Sequence, residues 1–239
     1  MVTISANPMY SAGTTQTGSF GLEFARALEH ELRGSVHTIA GFAGLLRHGP
    51  LTEDQRLAVE WIDRASGNMT VLLEAVSRVV RAASNPCLDL EDVDPLDVIH
   101  DVCRRTTPLA DKLDVTLIAA VECGDAVLGD REALVEILEQ LVRNGLQHSG
   151  AGRVVVRVAA SGPGTVRFSV EDPGRGMGEL ELGRAFGPFA RFGDPGPDCG
   201  AGLGLTICRL LVEALGSKLL ASSRIGAGTH LWFDLPARP

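Results

Sequence analysis

The stretch EDPGRGM, residues 171–177, decides how the second half of this chain is read. It ends an alternating apolar run, TVRFSVED (165–172), of the kind that forms a half-buried strand. Asp-Pro-Gly is ordinary turn chemistry on its own. A carboxylate fixed at a strand end can do more. Asp172 could accept a hydrogen bond from an exocyclic amine such as adenine N6, and Gly174 and Gly176 would let a flat base approach the backbone. Which reading holds depends on what lies on either side.

Upstream lies EILEQLVRNGLQHS (136–149), an amphipathic helix with Leu134, Ile137, Leu138, Leu141 and Val142 on its apolar face and Asp130 placed to cap it. Asn144 in this helix is either a solvent-facing or capping residue, or a hard oxygen ligand of the kind Mg²⁺ takes beside phosphates. Downstream, GAGLGL (200–205) runs directly into another helix. Gly200, Gly202 and Gly204 free backbone N–H groups to face a polyphosphate at a helix N-terminus. The stretch lacks the Gly-Lys-Ser/Thr of a P-loop and the short βαβ setting of a dinucleotide fingerprint. Around these motifs, RVVVRVAAS, Gly-Pro-Gly and TVRFSVED read as a β-hairpin, VTLIAAV and THLWFDLP as strands, and Asp94-Pro95 as a capped helix start. The expected fold is an α/β sandwich with helices on one face of a sheet.

The first third reads differently. Ala25, Leu28, Leu32, Ser35, Ile39, Phe42 and Leu46 recur at alternating steps of three and four, and so do Ala58, Ile62, Ala65, Met69, Leu72, Val76 and Val79. Gly49-Pro50 interrupts them, with Thr52 as the next helix cap. This predicts an antiparallel helical hairpin. Two helices make a poor core, so a homodimer closing a four-helix bundle is expected. The expected organisation is a loose Ser/Thr/Gly-rich segment at 1–19, the hairpin at 20–83, a linker at 84–94 and the α/β domain at 95–239.

Composition narrows the partners. The net charge of −8 argues against nucleic acid, and the basic runs are short. No run of about 18 apolar residues predicts a membrane span, and the first 20 residues have no signal-peptide pattern. Cys87, Cys103, Cys123, Cys199 and Cys208 show no metal-ligand spacing, which suits reduced, mostly buried thiols in a cytoplasmic protein. Any external signal would come through a separate sensor protein.

Asn on a helix, Asp-x-Gly-x-Gly after a strand and Gly-x-Gly-x-Gly before a helix, in that order, resemble the N, G1 and G2 boxes of the Bergerat-fold ATPases. That group includes histidine kinases, gyrase-type ATPases, Hsp90 and MutL. AFGPFARF (185–192) resembles the F box of histidine kinases. EHELRGSVHTIAGF (29–42), on the first helix of the hairpin, resembles the phosphoacceptor box of the sensor histidine kinases. The resemblance covers roughly residues 22–236.

It implies an ATP-dependent protein-histidine kinase of a two-component system. His30 would take the γ-phosphoryl group of ATP, with Glu31 as hydrogen-bond partner or base and Arg33 neutralising phosphate charge. Leu28 and Leu32 in the seam put His30 on the outward face, as such a nucleophile requires. His37 shares that face but falls outside the motif. Asn144 would ligate Mg²⁺, His148 would line the nucleotide site and Asp172, Gly174 and Gly176 would receive adenine. Gly200, Gly202 and Gly204 would face the phosphates. Arg191 would reach them from a lid spanning about 178–199. The phosphoryl group would pass to an aspartate of a response-regulator receiver domain.

Gly34-Ser35 stands where the family usually has Thr-Pro, so the phosphatase half of its work is expected to be weak. Gln140 and Gln147 also depart from the pattern. They motivate the alternative of a non-catalytic docking module, or a histidine phosphotransferase with a vestigial or sensing nucleotide site. A Ser/Thr kinase sharing the ATP domain would need no such hairpin.

Overall fold

A computed structural model describes residues 2–5, 32–47, 49–83, 88–150, 152–188, 190 and 202–238. They form two compact units: one holds the described residues between 32 and 83, the other holds 2–5 and those from 88 onward.

The first unit has two helices. Helix α1 is described over 32–46 and α2 spans Glu53–Ala83. The start of α2 is a reciprocal cap: the Gln55 N–H donates to Thr52 Oγ1 at 3.3 Å, and the Thr52 N–H donates to Gln55 Oε1 at 3.0 Å. Burial recurs every seven residues, at Val36 and Ala43 in α1 and at Val59, Ser66 and Leu73 in α2. That line sits one residue beyond the stripe expected from spacing. Of the expected stripe, Leu32, Ile39, Phe42, Leu46, Ile62 and Met69 are exposed, Phe42 at 63%. A seven-residue repeat fixes the period of a helix face. Its phase is ambiguous where small residues such as Ala43 and Ser66 can line the closer contact.

The second unit is built on a six-stranded sheet of β1 (Val2–Ser5), β3 (Thr116–Val121), β5 (Arg153–Gly162), β6 (Thr165–Asp172), β7 (Leu220–Ser223) and β8 (Thr229–Pro236). Their order across the sheet is β1-β7-β8-β6-β5-β3. All pairs are antiparallel except β3 with β5. The parallel pair is where helix α4 (Arg131–His148) crosses over. With α3 (Pro95–Leu113) and α6 (Gly204–Ala214), α4 forms the helical layer. The alternation dictates the core: Val154, Val156 and Val158, Val166, Phe168 and Val170, and Leu231, Phe233 and Leu235 are all buried. Phe168 and Phe233 stack with ring centroids 5.3 Å apart. On the other face Arg167 pairs with Asp234 at 2.8 Å and lies over the Trp232 ring.

Several expectations change. Val2–Ser5, expected to be loose, pairs with β7 along its edge; residues 6–19 lie outside the described residues. The expected linker ends in a strand, β2 (Glu91–Val93), paired with β4 (Val127–Gly129), and so belongs to the second unit. The expected lid begins with helix α5 (Glu179–Arg184). The short β4 and β7 had no alternating run long enough to declare them. Of the described cysteines, only Cys208 is buried; Cys103 and Cys123 are partly exposed. Among the described residues no helix is long and apolar enough to cross a membrane.

Candidate functional site

Asp172 is the last residue of β6, and its Oδ1 accepts the Gly174 N–H at 2.9 Å, closing a tight turn. Partial burial raises its pKa, opposed by the N–H groups of Gly174 and Thr229. The glycines of this turn answer to the protein's own backbone. A Cβ on Gly174 would lie 2.0 Å from His148 O; one on Gly176, whose φ is +66°, would lie 2.0 Å from Arg224 O. Both glycines are required by this packing, whatever lies on the open side of the turn. They let the turn nest between the end of α4 and the β7–β8 connection. From β7, Ser223 Oγ accepts the Met177 N–H at 2.8 Å and donates to Gly228 O at 2.8 Å. Gly228 itself passes so close to the end of β6 that a Cβ would meet Asp172 O at 1.9 Å.

Helix α4 brings Asn144 and His148 to the same place. Its cap, Asp130, accepts the Ala133 N–H at 2.9 Å and the Asp89 N–H at 3.0 Å with its two oxygens. One turn from its end, Gly145 allows close approach: a Cβ there would meet Val154 Cγ1 at 3.1 Å and the Asp172 Cβ at 3.6 Å. Asn144 and His148 are thus set beside the end of β6. Desolvation, then the charge of Arg175, lowers the His148 pKa, although the residue as a whole is exposed. Arg175 is turned to Glu181 at 3.3 Å, and Glu181 also accepts the Gly178 N–H at 3.2 Å.

Helix α6 supplies the third part. Gly202 has a φ of +72°, and a Cβ on Gly204 would lie 2.9 Å from Gln140 Oε1. Gln140 on α4 therefore meets the first residue of α6, which explains the position better than its departure from the usual residue type did. Helices α3 and α4 begin with aspartate caps, whereas Leu203 gives α6 no side-chain cap. Among the described residues no side chain accepts from its first N–H groups, a setting that suits an anion. Below this turn, the Thr206 hydroxyl donates to Phe186 O at 3.2 Å.

Helix α4 thus packs against the Asp172 turn through Gly145 and against the first residue of α6 through Gln140, and Asn144 lies between these two contacts along the helix. The donor set suits Mg²⁺ held with a nucleotide: Asn144 would offer a single hard oxygen, and among the described residues no group of three His, Cys, Asp or Glu could hold a metal alone. Sequence reasoning missed Gly145, Thr206, Ser223 and Gly228. A lone glycine or hydroxyl carries no sequence signal unless its neighbours in space are known.

His30, Glu31, Arg191 and Gly200 lie outside the described residues. Arg33 is in α1 and partly buried. His37 is exposed, and its Nδ1 lies 3.1 Å from Arg33 O, which makes Nδ1 the protonated nitrogen. Helix α1 continues through Gly34-Ser35, with Thr38 Oγ1 donating to Gly34 O at 3.0 Å.

Residues 129–239 match the family described as histidine kinase-, DNA gyrase B- and HSP90-like ATPase. The chain is 31% identical over 223 residues to the sensor histidine kinase AruS of Pseudomonas aeruginosa, covering 89% of this chain and 22% of that protein. The full-length ShkA crystallised with AMPPNP is similar at a TM-score of 0.70 and 29% identity, over 90% of this chain and 46% of that one. The mycobacterial sensor histidine kinase MprB matches at a TM-score of 0.54 and 28% identity, over 63% of this chain and 99% of that one. The chain spans about a fifth of the length of the curated relatives it matches. Its α/β unit carries the Bergerat-type ATPase domain of that family, and over most of its length the chain is similar to sensor histidine kinases.

Proposed function

We propose that this chain is the catalytic core of a histidine kinase that phosphorylates His30 with ATP and passes the phosphoryl group to an aspartate of a response regulator. The observation that supports this most is that α4, the helix of Asn144, packs both on the Asp172 turn and on the start of α6, whose N-cap supplies no side-chain acceptor. Asp172 orients adenine through its exocyclic amine, and neutral His148 lines the base without adding charge. The N–H groups around Gly200, Gly202 and Gly204 receive the phosphates, with Arg191 reaching them from the lid. Asn144 supplies the protein ligand for Mg²⁺, which when bound neutralises phosphate charge.

His30 attacks the γ-phosphorus with an imidazole nitrogen. The P–N bond forms as the bond to the β–γ bridging oxygen breaks, and ADP leaves. Glu31 accepts the imidazole proton, and Arg33 offsets charge on the transferred group. Such a transfer rests on positioning and charge neutralisation. A receiver aspartate then takes the phosphoryl group from the labile P–N bond.

The two helices act as an antiparallel hairpin whose exposed stripe, with Phe42 at 63% and Trp61 at 66% exposed, pairs with a second copy as a four-helix bundle. The reaction takes place in the cytoplasm, where ATP is supplied.

Incubation with γ-labelled ATP and Mg²⁺ tests this. Label that is acid-labile, base-stable and absent from His30→Gln is expected. Label retained in that variant would overturn the choice of His30. Wild-type protein that binds ATP but takes no label would leave a docking module.

A further inference from the structure

Three side chains stand in a row across three strands on the helix-facing side of the sheet. Ser223 of β7 is the register partner of Thr229 of β8, and Thr229 is the register partner of Asp172 of β6. Two residues along the same strands, Ala221, Leu231 and Val170 are buried in the core, which fixes the face. Ser223 is 8% exposed, whereas Thr229 and Asp172 are partly open.

Ser223 Oγ has three partners and one proton. The Met177 N–H, 2.8 Å away, can only donate. Gly228 O, 2.8 Å away, can only accept, so it takes the serine proton. The third partner, Thr229 Oγ1 at 3.0 Å, is then the donor. The threonine proton points at Ser223, and Thr229 Oγ1 keeps only lone pairs for the open side. Beside it, the Asp172 carboxylate is an acceptor as well.

We infer that Ser223 is a positioning residue that sets nucleotide selectivity: by holding the Thr229 proton it leaves the Asp172 end of the site with acceptors alone, which favours a base carrying an amino group there over one carrying a carbonyl. Ser223 acts through Thr229 and not by contact with the base. Without its hydroxyl, the Thr229 hydroxyl turns freely and can donate to a carbonyl, so discrimination weakens from both sides. The inference deepens the ATP-binding reading above and rests on it.

The test measures binding of ATP and of inosine triphosphate, in which a carbonyl replaces the amino group of adenine, to the full chain with Mg²⁺ by calorimetry. Ser223→Ala is expected to lower the preference for ATP about tenfold, with ATP binding weakened and inosine triphosphate binding held or strengthened. Ser223→Thr keeps the hydroxyl and should keep the preference within about twofold of wild type. In a Thr229→Val background, adding Ser223→Ala should change the preference by less than about twofold, because the proton that Ser223 holds is gone. If Ser223→Ala does not fold, Ser223→Cys takes its place; its thiol is a weak donor and acceptor, and the preference should fall in the same direction. Equal weakening for both nucleotides, the result of a merely structural role in holding Met177 and Gly228, overturns the inference, as does wild-type protein with no preference. Wild-type protein that binds neither nucleotide overturns the ATP-binding reading, and the inference with it; wild-type binding with an unchanged preference in Ser223→Ala overturns the inference and leaves that reading standing.

Discussion

The two units treat apolar surface in opposite ways. In the α/β unit the largest side chains, Phe168 and Phe233, are fully buried and stacked on each other. In the helical unit the largest, Phe42, Leu45 and Trp61, are 63, 69 and 66% exposed, while the buried line is made of Val36, Ala43, Val59 and Ser66. One unit closes its core from its own sheet and helices. The other holds its two helices through small residues and presents its large ones outward. The difference teaches that the ATPase unit can hold its site in shape alone, whereas the outward apolar side chains of the helical unit are what the proposed pairing with a second copy would cover.

That contrast can be broken first at the α/β core. Phe168→Ala should cost about 3–5 kcal/mol of stability in denaturant unfolding, because the cavity is walled on all sides. A loss under about 1 kcal/mol would mean that this core is as open as the helical face. Next, Asp172→Asn keeps the shape of the turn but changes an acceptor into a partial donor. ATP binding should fall at least about a hundredfold, the scale for a site whose buried hydrogen bond to a ligand is lost, while thermal stability at pH 7 should hold or rise. The pKa shift gives the sign: a carboxyl whose folded pKa is raised is less stable charged, so replacing the charge removes a burden. A drop in stability without a drop in affinity would assign Asp172 to structure alone.

Phe42→Glu with Leu46→Glu should convert the proposed dimer to monomer in sedimentation and leave the melting of the α/β unit unmoved. A dimer that survives both charges would place the interface elsewhere. The smallest effect concerns pH. Burial lowers the pKa values of His148 and His230. Their neutral forms are favoured in the folded state, so stability present above the unfolded value near 6.5 is lost as pH falls below it. His230→Gln should flatten the stability profile below about pH 6.5. An unchanged slope would remove His230 from the account.

What could be read in advance follows the same division. The hairpin β5–β6, strand β8 and helices α3, α4 and α6 announce themselves through alternation, period and the aspartates at 94 and 130, because each is long and one-sided. Asp172, Asn144 and the glycines of GAGLGL could be picked out because their spacing matches a family. The reasons for individual glycines could not. Gly174 and Gly228 are glycines because His148 O and Asp172 O occupy the space a Cβ would take, and that is known only once α4, β6 and the β7–β8 connection are in place. The hairpin stripe was legible as a period and misread by one residue in phase. Ser66 lies closer in than Ile62 or Met69, which no hydropathy pattern would choose.

Cys208 has a practical consequence. Its thiol is fully enclosed on α6, donates to Ile137 O on α4 at 3.6 Å, and burial pushes its pKa far up. A thiol-specific dye has no thiolate to attack there while α4 and α6 stay packed. Cys103 and Cys123 are partly open to reagent. The rate at which Cys208 becomes labelled is therefore a clock built into the ATPase unit, timing the separation of the helix that carries Asn144 from the helix that carries the glycine turn.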